Sequence, residues 1–368
     1  RRYLVTTTVA AFLALHPWLA VSATIEQGVT GDEPVHLTGG YSYWRFKDFR
    51  LQPEKGNLPQ RWAALPLLAE HPRLEPQDWP EDWKHSDAWM MGQHFFFESG
   101  NPIDFLLLSA RSLMVLWSVA TGLLVFCWSR SCWGTAGGLL SLALYGLSPT
   151  ILAHAPLVTS DTCATFWLVA ATGAWWRLTE RFTLGRFLMS AAAFSVAVVT
   201  KFSFVVFLPV AAAIALWQLL QTKPLAATAG DEWPVPLFRR RDRFTPITIV
   251  ALGHAAAAIA VIWLFYGFRY TAFSPGWPAA DFFSSTDGIL PPSGSLRWLL
   301  VNTREFHLLP EAFLHGFAYM LYAARERATF AAGSYGHSGW WWFFPFAFLV
   351  KSSLAELSAV LGIAAMLA

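Results

Sequence analysis

The chain has 368 residues, of which 55% are hydrophobic and only 14% are charged, and its formal net charge is +2. This composition is too apolar for a soluble domain, and the long uncharged runs are typical of membrane spans. The sequence lacks a basic face with interleaved aromatic residues, so we expect no nucleic-acid partner. The cysteines form no CxxC or Cys/His motif, and neither a disulfide framework nor a structural zinc site is indicated.

Eight apolar runs predict eight membrane helices, because hydrocarbon offers no partner to an unpaired backbone group and the runs lack the strand period of two. The predicted spans cover residues 3–22, 103–128, 133–148, 161–177, 184–200, 202–221, 246–268 and 340–368. The first run resembles a signal peptide, but we interpret it as a membrane helix. The chain starts without Met and stops inside an apolar run, so we expect further sequence on both sides.

The distribution of basic residues between the loops predicts the orientation of the chain in the membrane. The connections assigned to the inner side contain Arg130, Arg177, Arg181, Arg186, Lys223, Arg239, Arg240, Arg241 and Arg243. The long segment 23–102 holds more carboxylates than basic residues, and we place it on the outer side together with segment 269–339. Within the first of these segments, residues 58–71 predict an amphipathic helix that lies along the membrane surface.

The fold class predicted from these features is an all-α polytopic membrane protein with two long outer loops carrying amphipathic helices. Residues 1–268 would form a transmembrane module that includes the outer loop 23–102. Residues 269–339 would form a second outer, periplasmic loop, and residues 340–368 a further membrane helix.

Two adjacent carboxylates, Asp32 and Glu33, follow the first apolar run and precede Pro34, a residue favoured in the first turn of a helix. One interpretation is structural: Asp32 accepts backbone N–H bonds as a helix N-cap. The other interpretation is catalytic and needs an ionised carboxylate within reach of an acceptor hydroxyl. Both interpretations stay open at the level of sequence.

Four further charged residues fall on the outer side of the predicted topology: Arg111, Asp161, Lys201 and Lys351. An arginine inside a span costs about 2.5–3.5 kcal/mol on insertion scales and usually faces a cavity or a partner. Each residue has a structural alternative, which is helix capping for Asp161 and snorkelling to the surface for the three cations. Together with the acidic pair they place carboxylates and cations in one layer, which is suited to binding an anion beside a base.

Histidines provide no metal-ligand spacing. His71, His85 and His94 share the first loop, and His36 follows Asp32 by one helical turn. We assign no metal ligand, no cofactor is certain, and a divalent metal stays an open alternative.

Several segments in order carry a resemblance to a known family. They are GDEPVHLTGGYSYW, DFRLQPEKGNLPQRWAALPLL, SPTILAHAPLVTSDTCATFWLVAA and VVTKFSFVVFLP, and a later one begins HGFAYMLYAARERATF. Their order resembles family 39 glycosyltransferases of the GT-C superfamily, which include protein O-mannosyltransferases and the aminoarabinose transferases that modify lipid A. The resemblance covers nearly the whole chain. It implies a GT-C type helical bundle with an acidic catalytic motif in the first outer loop.

The resemblance also implies roles for individual residues. Asp32 falls on the acidic catalytic position and Glu33 on its neighbour, and Asp161 matches the Asp that closes an LVTTD-like segment, here LVTSD. Arg111 and Lys201 match basic positions associated with the lipid phosphate, and we add Lys351 to this donor-phosphate set from its place in the charged layer. Where relatives often carry a Lys-Pro-Pro element, this chain departs from the pattern with EKGNLPQRW.

The expected function is an integral membrane glycosyltransferase. It would move a sugar with inversion from a polyprenyl-phosphate donor to a hydroxyl or phosphate acceptor of a protein, lipid or glycan. The resemblance implies a bacterial inner membrane and a periplasmic active site, with membrane lipids and further subunits as partners. Two alternatives stay open, a non-catalytic scaffold subunit of a larger complex and a transporter of lipid-linked sugars.

Overall fold

The computed structural model describes residues 2–220, 225–227, 235–237, 240–276, 286–325, 328–337 and 339–367. Among the residues of the predicted inner connections, Lys223 and Arg239 lie outside the described residues. The described chain is dominated by α-helices, which confirms the all-α prediction in outline.

The regular secondary structure of the described residues before residue 103 is helical. Its α-helices are α1 (Arg2–Ser22), α2 (Glu33–Arg45), α3 (Asn57–Ala63), α4 (Leu67–Glu70), α5 (Pro80–Lys84) and α6 (Ala88–Gln93). Two short 3₁₀ helices, Pro53–Lys55 and Pro76–Asp78, and one π-helix, His94–Glu98, complete it.

The central helices are longer and more apolar. They are α7 (Ile103–Gly146), α8 (Pro149–His154), α9 (Asp161–Glu180), α10 (Leu184–Thr200), α11 (Phe207–Leu220) and α12 (Arg240–Phe265), with a 3₁₀ helix at Phe202–Val206. The remaining helices are α13 (Thr286–Ile289), α14 (Ser295–Glu305), α15 (Glu311–Ala323), α16 (Phe343–Lys351) and α17 (Leu354–Leu367).

Within the described residues, five short strands form two small sheets. In the first, β1 (Arg181–Phe182) pairs parallel with β2 (Leu225–Ala227), which pairs antiparallel with β3 (Val235–Leu237). In the second, β4 (Thr329–Ala331) and β5 (Ser334–Gly336) form an antiparallel hairpin.

Four helical segments of the described chain are long and apolar enough to cross a membrane. They are Tyr3–Ser22, Ile103–Gly146, Phe202–Leu220 and Ile247–Phe265. The number rises to five if α16 and α17 count as one span. A membrane protein is therefore supported, whereas the predicted number of eight spans is not confirmed, since α10 has only 17 residues and α9 does not meet the same criterion.

The helix labelled α7 consists of two antiparallel arms. Gly134 interrupts it with φ 70° and ψ −172°, a conformation that is essentially restricted to glycine. The Ser118 hydroxyl lies 2.8 Å from the Tyr145 hydroxyl. In a straight helix these residues would be about 40 Å apart at 1.5 Å per residue. The chain therefore reverses at Gly134, and the two arms correspond to the spans predicted at 103–128 and 133–148.

Two other sequence predictions need correction. The predicted single helix over 340–368 is a pair of helices, α16 and α17, bent by 118° at Ser352 and Ser353. The predicted surface helix over 58–71 is two short helices, α3 and α4, separated by a turn. The face of α3 that carries Pro59 and Gln60 is buried, because tertiary packing overrides the surface pattern here.

The core has two main clusters that fix the position of α2. One includes Trp175, Phe194, Phe207 and Ile262, and it joins helices α9 to α12. The other includes Leu37, Trp83, Met91, Phe95 and Leu106, and it packs α2 against α6, the π-helix and the first arm of α7. The segment 23–102 is therefore built onto the helical bundle.

Candidate functional site

Asp32 precedes α2, whose first residue is Glu33. It occupies the N-cap position through its backbone, since its carbonyl accepts the His36 N–H at 3.1 Å, but its side chain makes no capping hydrogen bond. The side chain is exposed, and its carboxylate has no hydrogen bond or ion pair with the residues that the structure describes. The interpretation of Asp32 as a side-chain cap is therefore wrong, and its carboxylate is available to a ligand.

Glu33 has the opposite environment, because it is completely buried. Its carboxylate binds the Arg111 guanidinium in a two-point contact, with Nε at 2.9 Å from Oε1 and Nη2 at 2.7 Å from Oε2. The backbone N–H groups of Thr30 and Val158 donate to the same carboxylate at 2.9 and 3.1 Å. Burial alone would raise the pKa of Glu33, but the hydrogen bonds from Arg111, Thr30 and Val158 outweigh it and hold the pKa below its ordinary value.

Arg111 is fully engaged by the protein. Besides Glu33, it donates from Nη1 to the carbonyls of Thr24 and Gln27 and from Nη2 to that of Gly28, at 2.9–3.1 Å. A guanidinium has five N–H groups, and these contacts use all of them. The arginine inside the predicted span thus has a partner 78 positions earlier in the chain.

This arrangement decides what Arg111 can do in the described conformation. No N–H of its guanidinium is left for a phosphate, so the geometry favours a structural role over the predicted phosphate contact. The ion pair connects the residues after α1, the start of α2, the first arm of α7 and Val158. Arg111 and Glu33 therefore hold the segment that presents Asp32.

Asp161 and Lys201 form a second, more accessible ion pair. The Lys201 Nζ lies 2.6 Å from Asp161 Oδ1, and their side chains are 30% and 66% exposed. Asp161 is the first residue of α9, and Lys201 lies at the break between α10 and the 3₁₀ helix. The two residues, predicted to share one layer, are in direct contact.

Lys55 was not predicted as a site residue and lies close to Lys201. A Cβ placed on Gly56, which has φ 88°, would lie 2.1 Å from the Thr200 carbonyl oxygen, so the two backbone segments touch. Lys55 is half-buried and forms no ion pair with the described residues. The departure EKGNLPQRW, where relatives often have Lys-Pro-Pro, marked this loop in the sequence but did not place Lys55 beside Lys201.

His36 lies on α2, near Lys55 and Lys201, and is buried. Its Nδ1 has no hydrogen-bond partner among the described residues. Burial lowers the pKa of His36 to about 3, and the charges of Lys55 and Lys201 act in the same direction. His36 is therefore neutral near pH 7.

Lys351 does not join this cluster in the described structure. The Lys351 side chain is exposed. Its backbone carbonyl accepts a hydrogen bond from the Thr150 hydroxyl at 2.7 Å. The described residues include no group of three or more His, Cys, Asp and Glu side chains that could hold a metal ion.

The site thus combines an accessible carboxylate, Asp32, with two lysines whose charges act on His36, which lies one helical turn after Asp32 on α2. A carboxylate can accept a proton, and lysines can neutralise a phosphate. The arrangement contains the groups needed for displacement of a phosphate-linked leaving group by a hydroxyl.

Part of the chain matches a known protein family. Residues 96–230 match the family described as dolichyl-phosphate-mannose-protein mannosyltransferase. This region contains Arg111, Asp161 and Lys201, whereas Asp32 and Glu33 precede it. The comparisons with curated proteins and with solved structures gave no match. The resemblance predicted from the motifs is therefore confirmed over residues 96–230, where the chain is similar to a family of membrane glycosyltransferases of the GT-C type.

Proposed function

We propose that this protein transfers a sugar, with inversion, from a polyprenyl-phosphate donor to a hydroxyl acceptor at the outer face of a bacterial inner membrane. The observation that carries the proposal is the exposed, unbonded carboxylate of Asp32, held at the start of α2 by the buried pair of Glu33 and Arg111. A residue that only capped the helix would not need this free carboxylate.

In the proposed reaction, Asp32 accepts the proton of the acceptor hydroxyl. The acceptor oxygen forms a bond to the anomeric carbon while the bond from that carbon to the phosphate oxygen breaks. The lipid phosphate leaves with the bonding electron pair. One displacement inverts the anomeric carbon and needs no enzyme nucleophile.

The leaving phosphate requires positive charge, and we assign this role to Lys55 and Lys201. Arg111 is less suitable because its N–H groups are already bound to Glu33 and backbone carbonyls. Asp161 would position the Lys201 ammonium, to which it is already bound at 2.6 Å. Glu33 and Arg111 would act as positioning residues for Asp32.

The decisive experiment replaces Asp32 by Asn and measures sugar transfer from a polyprenyl-phosphate donor in liposomes. Asn has a similar shape but cannot accept a proton at neutral pH. We expect transfer to fall by about 10²–10⁴-fold, the usual contribution of general acid–base catalysis. We expect thermal stability to stay at the parental level, because the exposed Asp32 side chain makes no hydrogen bond or ion pair with the described residues.

Glu26→Gln is the matched control, since Glu26 is an exposed carboxylate in the same segment. It should retain parental transfer activity. A stable Asp32→Asn variant with parental activity would reject the catalytic assignment. In that case the scaffold alternative would gain support.

A further inference from the structure

A cationic cavity lies where the C-terminal ends of α2 and α12 meet. It has a volume of about 260 Å³, and its lining includes three basic residues, Lys47, Arg61 and Arg269. Aromatic walls are provided by Tyr43, Trp44, Phe49, Phe265 and Tyr266. The described lining contains no carboxylate, so the cavity has an excess of positive charge.

Part of this charge supports the fold, because basic side chains near a helix C-terminus can bind its last carbonyls. Arg61 Nη1 donates to the Phe265 carbonyl at 2.8 Å, and Arg269 donates to the carbonyl of Lys47. The nearby Asp48 carboxylate acts on the Arg269 charge, but it is already bound by Arg50 at 2.9 and 3.0 Å and does not line the cavity.

Other donors of the cavity have no protein partner. Arg61 Nε is buried without an acceptor among the described residues, although burial of an unpaired donor costs free energy. The guanidinium lies over the Trp44 ring, with Cζ 4.1 Å from the ring centroid. Lys47 is exposed, and its ammonium forms no ion pair with the described residues. An anion in the cavity would pair with the Lys47 ammonium and with the positive charge of the Arg61 guanidinium.

An apolar groove adjoins the cavity. It has a volume of about 290 Å³ and shares Trp44, Arg61, Leu264 and Phe265 with the cavity. Its remaining lining is apolar: Leu58, Trp62 and Leu65. Both sites lie at the end of the segment Ile247–Phe265, which is long and apolar enough to span a membrane.

We propose that the cavity and the groove together bind one anionic phospholipid. Its phosphate would occupy the cavity beside Arg61 and Lys47, and one of its chains would lie in the groove. The Arg61 guanidinium and the Lys47 ammonium both carry positive charge that can pair with a phosphate, and tryptophan is favoured at the membrane–water boundary. The position at the end of a membrane span selects a lipid over a soluble phosphate, because the groove would meet lipid chains there.

This site is distinct from the site around Asp32. Tyr43 lies 11 residues further along α2 than Asp32, which corresponds to about 16 Å at the helical rise of 1.5 Å per residue. The cavity lining contains none of Asp32, Lys55 and Lys201. Lipid binding here requires no sugar transfer, so it can be tested independently of the proposed reaction.

The test is native mass spectrometry of the intact protein titrated with phosphatidylglycerol, and with phosphatidylcholine of the same chains. We expect tighter binding of phosphatidylglycerol. Lys47→Ala and Arg61→Gln should each weaken it about fivefold, the usual contribution of one basic residue at an anionic surface. Lys84→Ala is the matched control, because Lys84 belongs to the same segment but lies outside the cavity, and it should bind like the parent.

Lys47→Ala keeps the test valid if Arg61→Gln disturbs α12, because the Lys47 side chain holds no helix end. Parental phosphatidylglycerol binding by a stable Lys47→Ala variant would overturn the proposal. Equal binding of the two lipids would do the same. If an equal concentration of glycerol phosphate displaces phosphatidylglycerol, the site binds a soluble phosphate and the lipid proposal is rejected.

Discussion

Two neighbouring carboxylates have opposite environments at the start of α2. Successive residues of a helix are rotated by about 100°, so one of two adjacent side chains can be buried while the other is exposed. Glu33 is completely buried against Arg111, and Asp32 is exposed. The acidic pair therefore divides into one residue that holds the structure and one that is free for chemistry.

The Glu33–Arg111 pair gives a prediction about stability. Removing one partner of a buried ion pair leaves the other charge buried and unpaired, which typically costs about 3–5 kcal/mol. We therefore expect Arg111→Ala and Glu33→Gln each to lower the unfolding temperature in detergent clearly. The double change Glu33→Leu with Arg111→Met should recover much of the loss, since replacement of both partners by apolar residues is often close to neutral.

The control for this prediction is Arg73→Ala. Arg73 forms an exposed ion pair with Asp78, at 60% and 35% exposure, and such pairs contribute about 0–1 kcal/mol. An Arg111→Ala variant as stable as Arg73→Ala would contradict the structural role, and a direct contact with the donor phosphate would then be reconsidered.

At the scale of elements, the segment 23–102 is held together by side chains that connect its short helices. His94, the first residue of the π-helix, lies between two carboxylates, with Asp82 Oδ2 2.8 Å from Nε2 and Glu98 Oε2 2.6 Å from Nδ1. Trp79 stacks on its ring with a centroid distance of 4.4 Å. One imidazolium thus links α5 to the π-helix.

This link predicts a pH dependence. Burial alone would lower the pKa of His94, but its hydrogen bonds to Asp82 and Glu98 raise it above the ordinary value of 6.5. The pKa of His94 is higher in the folded state than in the unfolded state. The stabilisation of the fold by the charged imidazolium is therefore fully present below about pH 6.5 and is lost as the pH rises through the folded-state pKa. We expect the unfolding temperature to fall over that range, and His94→Gln to remove this component.

Thermal unfolding measured between pH 5 and 9 would check the prediction. His85→Gln provides a matched control. His85 is exposed in the same segment, and its 3.5 Å contact is with the exposed Glu81. An identical pH profile for parent and His94→Gln would show that the link does not contribute.

At the scale of the whole molecule, the proposed site depends on one orientation of the chain. Asp32 belongs to the segment 23–102, which is assigned to the outer side of the membrane. The basic residues near 240 belong to a connection that is assigned to the inner side. We expect cysteines introduced at Asp78 and Arg240 to react with a membrane-impermeant reagent from opposite faces of the membrane. Labelling of both positions from the same face would reject the predicted topology.

The labelling requires a background without the native cysteines. Cys127 and Cys132 are exposed and would react on their own, whereas Cys163 is buried. Parental thermal stability of the cysteine-free protein is the necessary control.

The sequence by itself determined the helical membrane class and the family resemblance, because hydropathy and motif order are local properties. It did not determine the number of spans. Residues 103–146 read as two runs, but only the contact of Ser118 with Tyr145 establishes the reversal at Gly134. The bend between α16 and α17 likewise had no local signal that we recognised.

The tertiary structure alone decided which charges meet. Arg111 pairs with Glu33, 78 positions earlier in the chain, and Lys201 pairs with Asp161, 40 positions earlier. Sequence separation carries no information on such pairs, since they depend on how α2, α7, α9 and α10 pack. The composition of EKGNLPQRW did not predict a cation beside Lys201, because that proximity arises where Gly56 touches Thr200. The free carboxylate of Asp32 was likewise decided by packing, which buries its neighbour and leaves it exposed.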